Sequence, residues 1–203
     1  PAGSSVDGFF ELEACLPFPE GQNKATARYF VQLHPEYDAR RRYPTIMTLH
    51  GAGTTPLQQI DWWAGTKTKN GRRDGQGGRH GVIVISPAWS EKTQLEYRYS
   101  AKEHSLILAV LRDASRQFSI DSNRVFLSGH SIGGDAAWDI GLSHPDLWAG
   151  IIVLSGKAGR FVHHYHPNAQ TLPFYIVCGG LDHTTFTANE MDLDRYLKKG
   201  FDL

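Results

Sequence analysis

Ser131 stands in Gly129-His130-Ser131-Ile132-Gly133, with a glycine two residues away on either side. An apolar run, residues 125–127, leads into it, and a helix-compatible segment, residues 135–142, follows at once. Gly-x-Ser-x-Gly in that setting is the pattern of a nucleophile elbow, a tight strand-to-helix turn. The serine's backbone angles are strained there, so the flanking positions must lack side chains. The turn lifts the Ser131 hydroxyl above a sheet at the positive end of a helix, and it frees the Ile132 N–H to face a developing oxyanion. That is the chemistry of nucleophilic attack on a carbonyl. The five-residue pattern alone is common by chance. Its weight comes from the strand and helix around it, and from a second glycine loop, His50-Gly51-Ala52-Gly53, closing an earlier apolar segment.

These residues need a frame to hold them. Residues 45–50, 82–85, 125–127, 151–154 and 174–178 are short, mostly apolar runs, as expected of strands covered on both faces. Residues 8–15 and 27–33 instead alternate, and read as half-exposed antiparallel strands joined through a polar turn at 20–23. Helices are predicted over 56–64, carrying Trp62 and Trp63, and over 101–118, where Ser100 and Glu103 form a capping box. A last one is expected over 186–199, ending at Gly200. Asp121 and Asn123 are expected to turn the chain into the nucleophile strand, and His144-Pro145-Asp146 to break the helix after it. Residues 156–171 read as a polar connection with little helical signal. Residues 65–81 are rich in glycine and basic side chains; a phosphate-binding reading is open, but a mobile surface loop is preferred because the glycines match no phosphate motif. The alternation predicts an α/β protein: a mostly parallel sheet, helices on both faces, and an antiparallel N-terminal edge. In such sheets active sites lie at the carboxyl ends of the strands. Ser131 falls there, as do the residues after His50 and after Cys178.

The 203 residues suffice for one domain with a full core. Lys plus Arg equals Asp plus Glu at 21 each, so nothing in the charge suggests nucleic acid or an anionic membrane as partner. No run reaches the length of a membrane span. The chain starts at Pro1 without a methionine, which reads as a cut or processed end. Two cysteines make no disulfide framework, and Cys15 and Cys178 are expected on opposite sides of the sheet. His163, His164 and His166 read as a solvated loop rather than a metal cluster, lacking a carboxylate or cysteine at ligand spacing. No cofactor and no metal is implied.

The stretch from Arg124 to Trp138, the His144-Pro145-Asp146 that follows, the His50–Gly53 loop and the order of elements together resemble the α/β-hydrolase superfamily. The resemblance is nearest to its esterase and secreted-peptidase-like branch, similar to the phospholipase/carboxylesterase and polyhydroxybutyrate-depolymerase groups. It runs from about Tyr29 to Leu203 and implies an α/β-hydrolase fold, with residues 1–203 as a single domain lacking its last strand and helix. Ser131 would form an acyl-enzyme. The oxyanion would be held by the N–H of Ile132 and one from the Gly51-Ala52 loop, Ala52 foremost, with His50 bracing that loop. Asp182 matches the carboxylate that orients the catalytic imidazole; the alternative is a helix cap. The fold's order is serine, acid, histidine, yet only His183 follows Asp182, and its side chain points away from its neighbour's. The base is therefore expected some tens of residues beyond Leu203, and the 203 residues alone are expected to be inactive. Trp62 and Trp63 could line an apolar or aromatic acyl pocket, or pack in the core; Trp138 is assigned to the core. The expected activity is hydrolysis of carboxylic esters, the substrate a small-molecule ester or a peptide. A peptidase of the same chemistry and a non-catalytic binding module stay open, and oligomeric state is not read.

Overall fold

The computed structural model describes residues 7–17, 25–182, 185 and 187–189. Among them, one sheet runs in the order β1-β2-β4-β3-β5-β6-β7. The strands are β1 (Phe9–Cys15), β2 (Thr26–Gln32), β3 (Tyr43–Leu49), β4 (Ile83–Pro87), β5 (Ile120–His130), β6 (Gly150–Leu154) and β7 (Phe174–Val177). β2 pairs antiparallel with both β1 and β4, and every other pairing is parallel. This is the mostly parallel α/β sheet with an antiparallel edge. The helices are α1 (Pro56–Ala64), α2 (Gln76–Arg79), α3 (Ala101–Gln117), α4 (Ile132–Ser143) and α5 (Val162–Tyr165).

Local signals set the main helices. α3 opens on the Ser100/Glu103 capping box and presents Ile107, Val110, Leu111 and Ala114 to the core at helical spacing. It covers the face of the sheet that carries Tyr29 and Val31. α1 opens on a second capping box, Thr55 with Gln58, and Pro56 fills a first-turn position that needs no N–H. It covers the opposite face, where Ile60 and Ala64 pack with Phe30 and Val84. Each buried Ile or Leu in these contacts stabilises by roughly 1.5–3 kcal/mol.

Several expectations change. β2 is not half-exposed: Phe30 and Gln32 are buried at 5% and 8%, because α1 covers the face their alternation marks as polar. β5 begins at Ile120, so the expected turn at Asp121 and Asn123 is strand; Asp121 accepts bonds from the Asn123 N–H and Arg124 Nε. β7 is half-buried on one face and exposed on the other, with Phe174 stacked on Trp138 and Tyr175 left 67% exposed. Residues 65–81 contain α2, and Arg73 is buried against the Asp61 carboxylate and the Gly65 carbonyl, which anchors the segment. The connection after β6 holds α5. The turn at 20–23, His183 and Leu203 lie outside the described residues, as does most of the helix expected over 186–199. Cys15 and Cys178 are free thiols, one ending β1 and the other following β7, on opposite edges. Among the described residues no helix is long and apolar enough to cross a membrane.

Candidate active site

β5 ends at His130 and α4 begins at Ile132, leaving Ser131 alone between them at φ 55°, ψ −124°. Its N–H donates to the Leu154 carbonyl at 2.9 Å, and its carbonyl accepts from the Gly134 and Asp135 amides. A side chain at such angles costs on the order of 1–3 kcal/mol. The glycines answer a close approach of backbones. A Cβ on Gly129 would stand 1.9 Å from the Gly133 oxygen, and one on Gly133 would stand 2.3 Å from the Leu49 oxygen. Strand and helix therefore meet at main-chain contact. Ser131 does not cap α4, and its hydroxyl has no hydrogen-bond partner among the described residues.

β3 delivers the second loop. A Cβ on Gly51 would lie 3.1 Å from the Ser131 Cβ and 3.0 Å from His130 Nδ1, so this loop abuts the nucleophile's turn. His50 is buried, with Nδ1 3.1 Å from the Gly51 carbonyl oxygen, and the Trp89 indole N–H donates to the His50 carbonyl. Burial holds the His50 pKa below the usual histidine value, the bond to Gly51 opposing it, and keeps the ring a neutral brace. The Thr54 hydroxyl donates to the Gly51 oxygen from the other side, at 2.8 Å. The amide N–H groups of Ala52 and Ile132 have no partner among the described residues.

Ser131 lines a cleft of about 800 Å³ together with Tyr97, Tyr99, Asp135, Lys157 and Asp182. Among the described residues, non-glycine positive φ occurs at Tyr99, Ser131 and Ser155, and all three line this cleft. Strain gathered at one place is the mark of a functional site. Asp182 faces the cleft while its Oδ1 accepts the Thr185 N–H at 3.3 Å, so the acid and capping readings describe one side chain. The Trp62 ring lies tilted against His130, centroids 4.6 Å apart, and is 53% exposed, which sets it beside the nucleophile's turn. Trp63 packs with the α1 cluster of Phe30, Ile60, Ala64 and Val84, and so takes the core alternative. Adjacent helical residues point about 100° apart, so the pair could not share one wall.

Sequence reasoning did not single out Tyr97, Tyr99, Asp135, Ser155 or Lys157. Tyr97 donates to Asp139 Oδ2 at 2.7 Å, and His104 Nε2 meets the same oxygen at 2.8 Å. Burial and then Asp139 push the Tyr97 phenol far above its ordinary pKa, so it stays protonated. Burial, then Asp135 and Asp139, push Tyr99 up to about 12. Burial lowers His130 and raises Asp135. Only Asp135 had a readable signal: four residues past Ser131 places it one helical turn along.

A protein family described as "Putative esterase" matches residues 23–167, well over half of the chain. None of the curated proteins is a match for the sequence. Among solved structures, a thermostable esterase is similar at TM-score 0.70 and 17% identity, over 96% of this chain and 52% of its own. The chain thus spans about half the length of that relative. Fluorophosphonate-binding serine hydrolase F of Staphylococcus aureus, with substrate bound, is similar at TM-score 0.67 and 16% identity, over 94% and 86%. A feruloyl esterase module from Clostridium thermocellum, complexed with sinapinate, is similar at 0.66 and 12%, over 92% and 72%. The fold they share with this chain is that of the α/β-hydrolases.

Proposed function

The chain belongs to that esterase family, and we propose on this footing that it cleaves carboxylic esters through an acyl-enzyme on Ser131. The observation that carries the reading is the strained, uncapped Ser131, set against the Gly51 backbone at the mouth of a cleft that also holds Asp182. The Ser131 oxygen attacks the ester carbonyl while a histidine base outside the described residues takes its proton. Asp182 orients that imidazole and stabilises its charged form. The carbonyl oxygen becomes an oxyanion held by the Ile132 and Ala52 N–H groups, which have no other partner among the described residues. Collapse expels the alcohol, which carries away the proton from the imidazolium. Water then repeats the cycle and releases the acid. Trp62 and His130, their rings tilted 37° to each other, form an aromatic shoulder beside the nucleophile for the ester to lie against. The test, on a chain that carries the histidine base, is hydrolysis of short 4-nitrophenyl esters and labelling by a fluorophosphonate, with both lost in Ser131→Ala. Labelling that survives in that variant would place the reactive serine elsewhere.

A further inference from the structure

Asp135 is a carboxylate that the acyl-transfer steps leave unused. Its amide bonds the Ser131 carbonyl at 3.0 Å, one helical turn from the nucleophile, and its side chain lines the same cleft. Oδ1 accepts the Lys157 amide N–H at 2.6 Å across the gap to the loop after β6. Oδ2 has no partner among the described residues. Oδ2 is not among the buried unpaired atoms, so it faces the solvent-filled cleft and stays open to a donor from a bound molecule. Burial raises the Asp135 pKa, against the opposing pull of the Lys157 amide and charge.

The wall above it is shaped to the same end. A Cβ on Gly159 would lie 2.0 Å from the Tyr99 hydroxyl, so glycine there is what admits the phenol. The Tyr99 hydroxyl likewise has no partner among the described residues. Tyr99 is held at φ 55° with Tyr97 at 4.4 Å and Arg160 over its ring. Of the other charged groups on the cleft, Glu96 and Asp182 are acidic and Lys157 is the basic one. The floor beside the nucleophile therefore offers an open acceptor in an acidic setting.

We propose that Asp135 is a specificity residue: its free Oδ2 accepts a hydrogen bond from an ammonium or hydroxyl group on the substrate, and its charge disfavours substrates bearing a carboxylate. This rests on Ser131 being the nucleophile, and the test separates the two. A chain that carries the histidine base is treated with alkyl fluorophosphonates whose tails end in methyl, hydroxyl, ammonium or carboxylate, and the second-order labelling rate at Ser131 is read by mass spectrometry. The ammonium and hydroxyl probes should outrun the carboxylate probe by about tenfold or more, since like-charge juxtaposition in a cleft is strongly unfavourable. Asp135→Asn keeps an acceptor for the Lys157 amide and should bring the ammonium-to-carboxylate ratio close to one. A purely structural Asp135 would leave that ratio unmoved. A flat wild-type series, or a ratio that survives Asp135→Asn, overturns the assignment. So does an equal fall in Glu96→Gln, which would credit the summed charge of the cleft. Failure of every probe to label Ser131 is a different result and removes the nucleophile reading beneath the proposal.

Discussion

Ser100 and Ser131 occupy the same position, the N-cap of a helix, and use it in opposite ways. Ser100 has extended angles, φ −96° and ψ 147°, and its oxygen accepts the Glu103 N–H while the Glu103 carboxylate takes the Ser100 N–H. Gln94 and the Arg98 amide bond the other Glu103 oxygen, so the whole cap is saturated. Ser131 sits at φ 55°, makes no cap bond, and is followed by an amide that is also unspent. An extended N-cap serine stabilises its helix by about 1 kcal/mol. A serine turned to positive φ forgoes that, adds strain, and keeps its hydroxyl free for chemistry. The difference lies in the backbone angle, and the glycines around Ser131 are what permit it.

Exchanging each serine should give the widest contrast. Ser131→Ala should lower ester turnover on the order of a millionfold, as losing a triad nucleophile does. Ser100→Ala should leave turnover at the wild-type level and cost about 1 kcal/mol in urea unfolding. Steady-state hydrolysis of 4-nitrophenyl acetate and denaturation curves of both variants check the pair.

Next in size is the turn itself. Gly133→Ala drives a Cβ into the Leu49 carbonyl, with no flexible side chain to yield. It should cost at least about 3 kcal/mol or prevent folding. An alanine variant with wild-type stability would show that the backbones are not in contact.

Removing the strain should have a smaller, opposite effect. Ser131→Gly should abolish turnover yet raise stability by about 1 kcal/mol, the relief of positive φ exceeding glycine's entropic cost. The same change at Ser100 should weaken the protein by a few tenths of a kcal/mol. A Ser131→Gly variant less stable than wild type would mean that Ser131 is not strained.

The smallest effect is a pH dependence. Burial raises the Asp135 pKa above 3.8, so the folded state holds this proton more tightly than the unfolded chain does. Wild-type stability should then fall as pH rises from about 3.8 through the folded value. Asp135→Asn lacks that fall. Its thermal midpoint should exceed wild type at pH 7 and converge with it below pH 3.8. A gap that persists in acid would need another cause.

What could be read along the chain is what neighbouring residues decide between themselves. Ser100 with Glu103, Pro56 after Thr55, and the glycines around Ser131 act within one turn, so α3, α1 and the elbow were legible before any fold was known. The order of apolar runs was enough for the parallel sheet and for the end of it that carries Ser131. Alternation tells which face of a strand is apolar, but not what lies over the other face. Hence Phe30 under α1 and Tyr175 on the open side of β7 were both misplaced. The same limit applies to Trp62 and Trp63, equal in sequence and parted by the direction of one helix. Tyr99, Ser155 and Lys157 come from separate loops, and only packing at the strand ends brings them to Ser131 and imposes positive φ on the first two. Sequence determined where a nucleophile could stand. Tertiary structure decided what surrounds it, because contacts between distant segments leave no trace in local spacing.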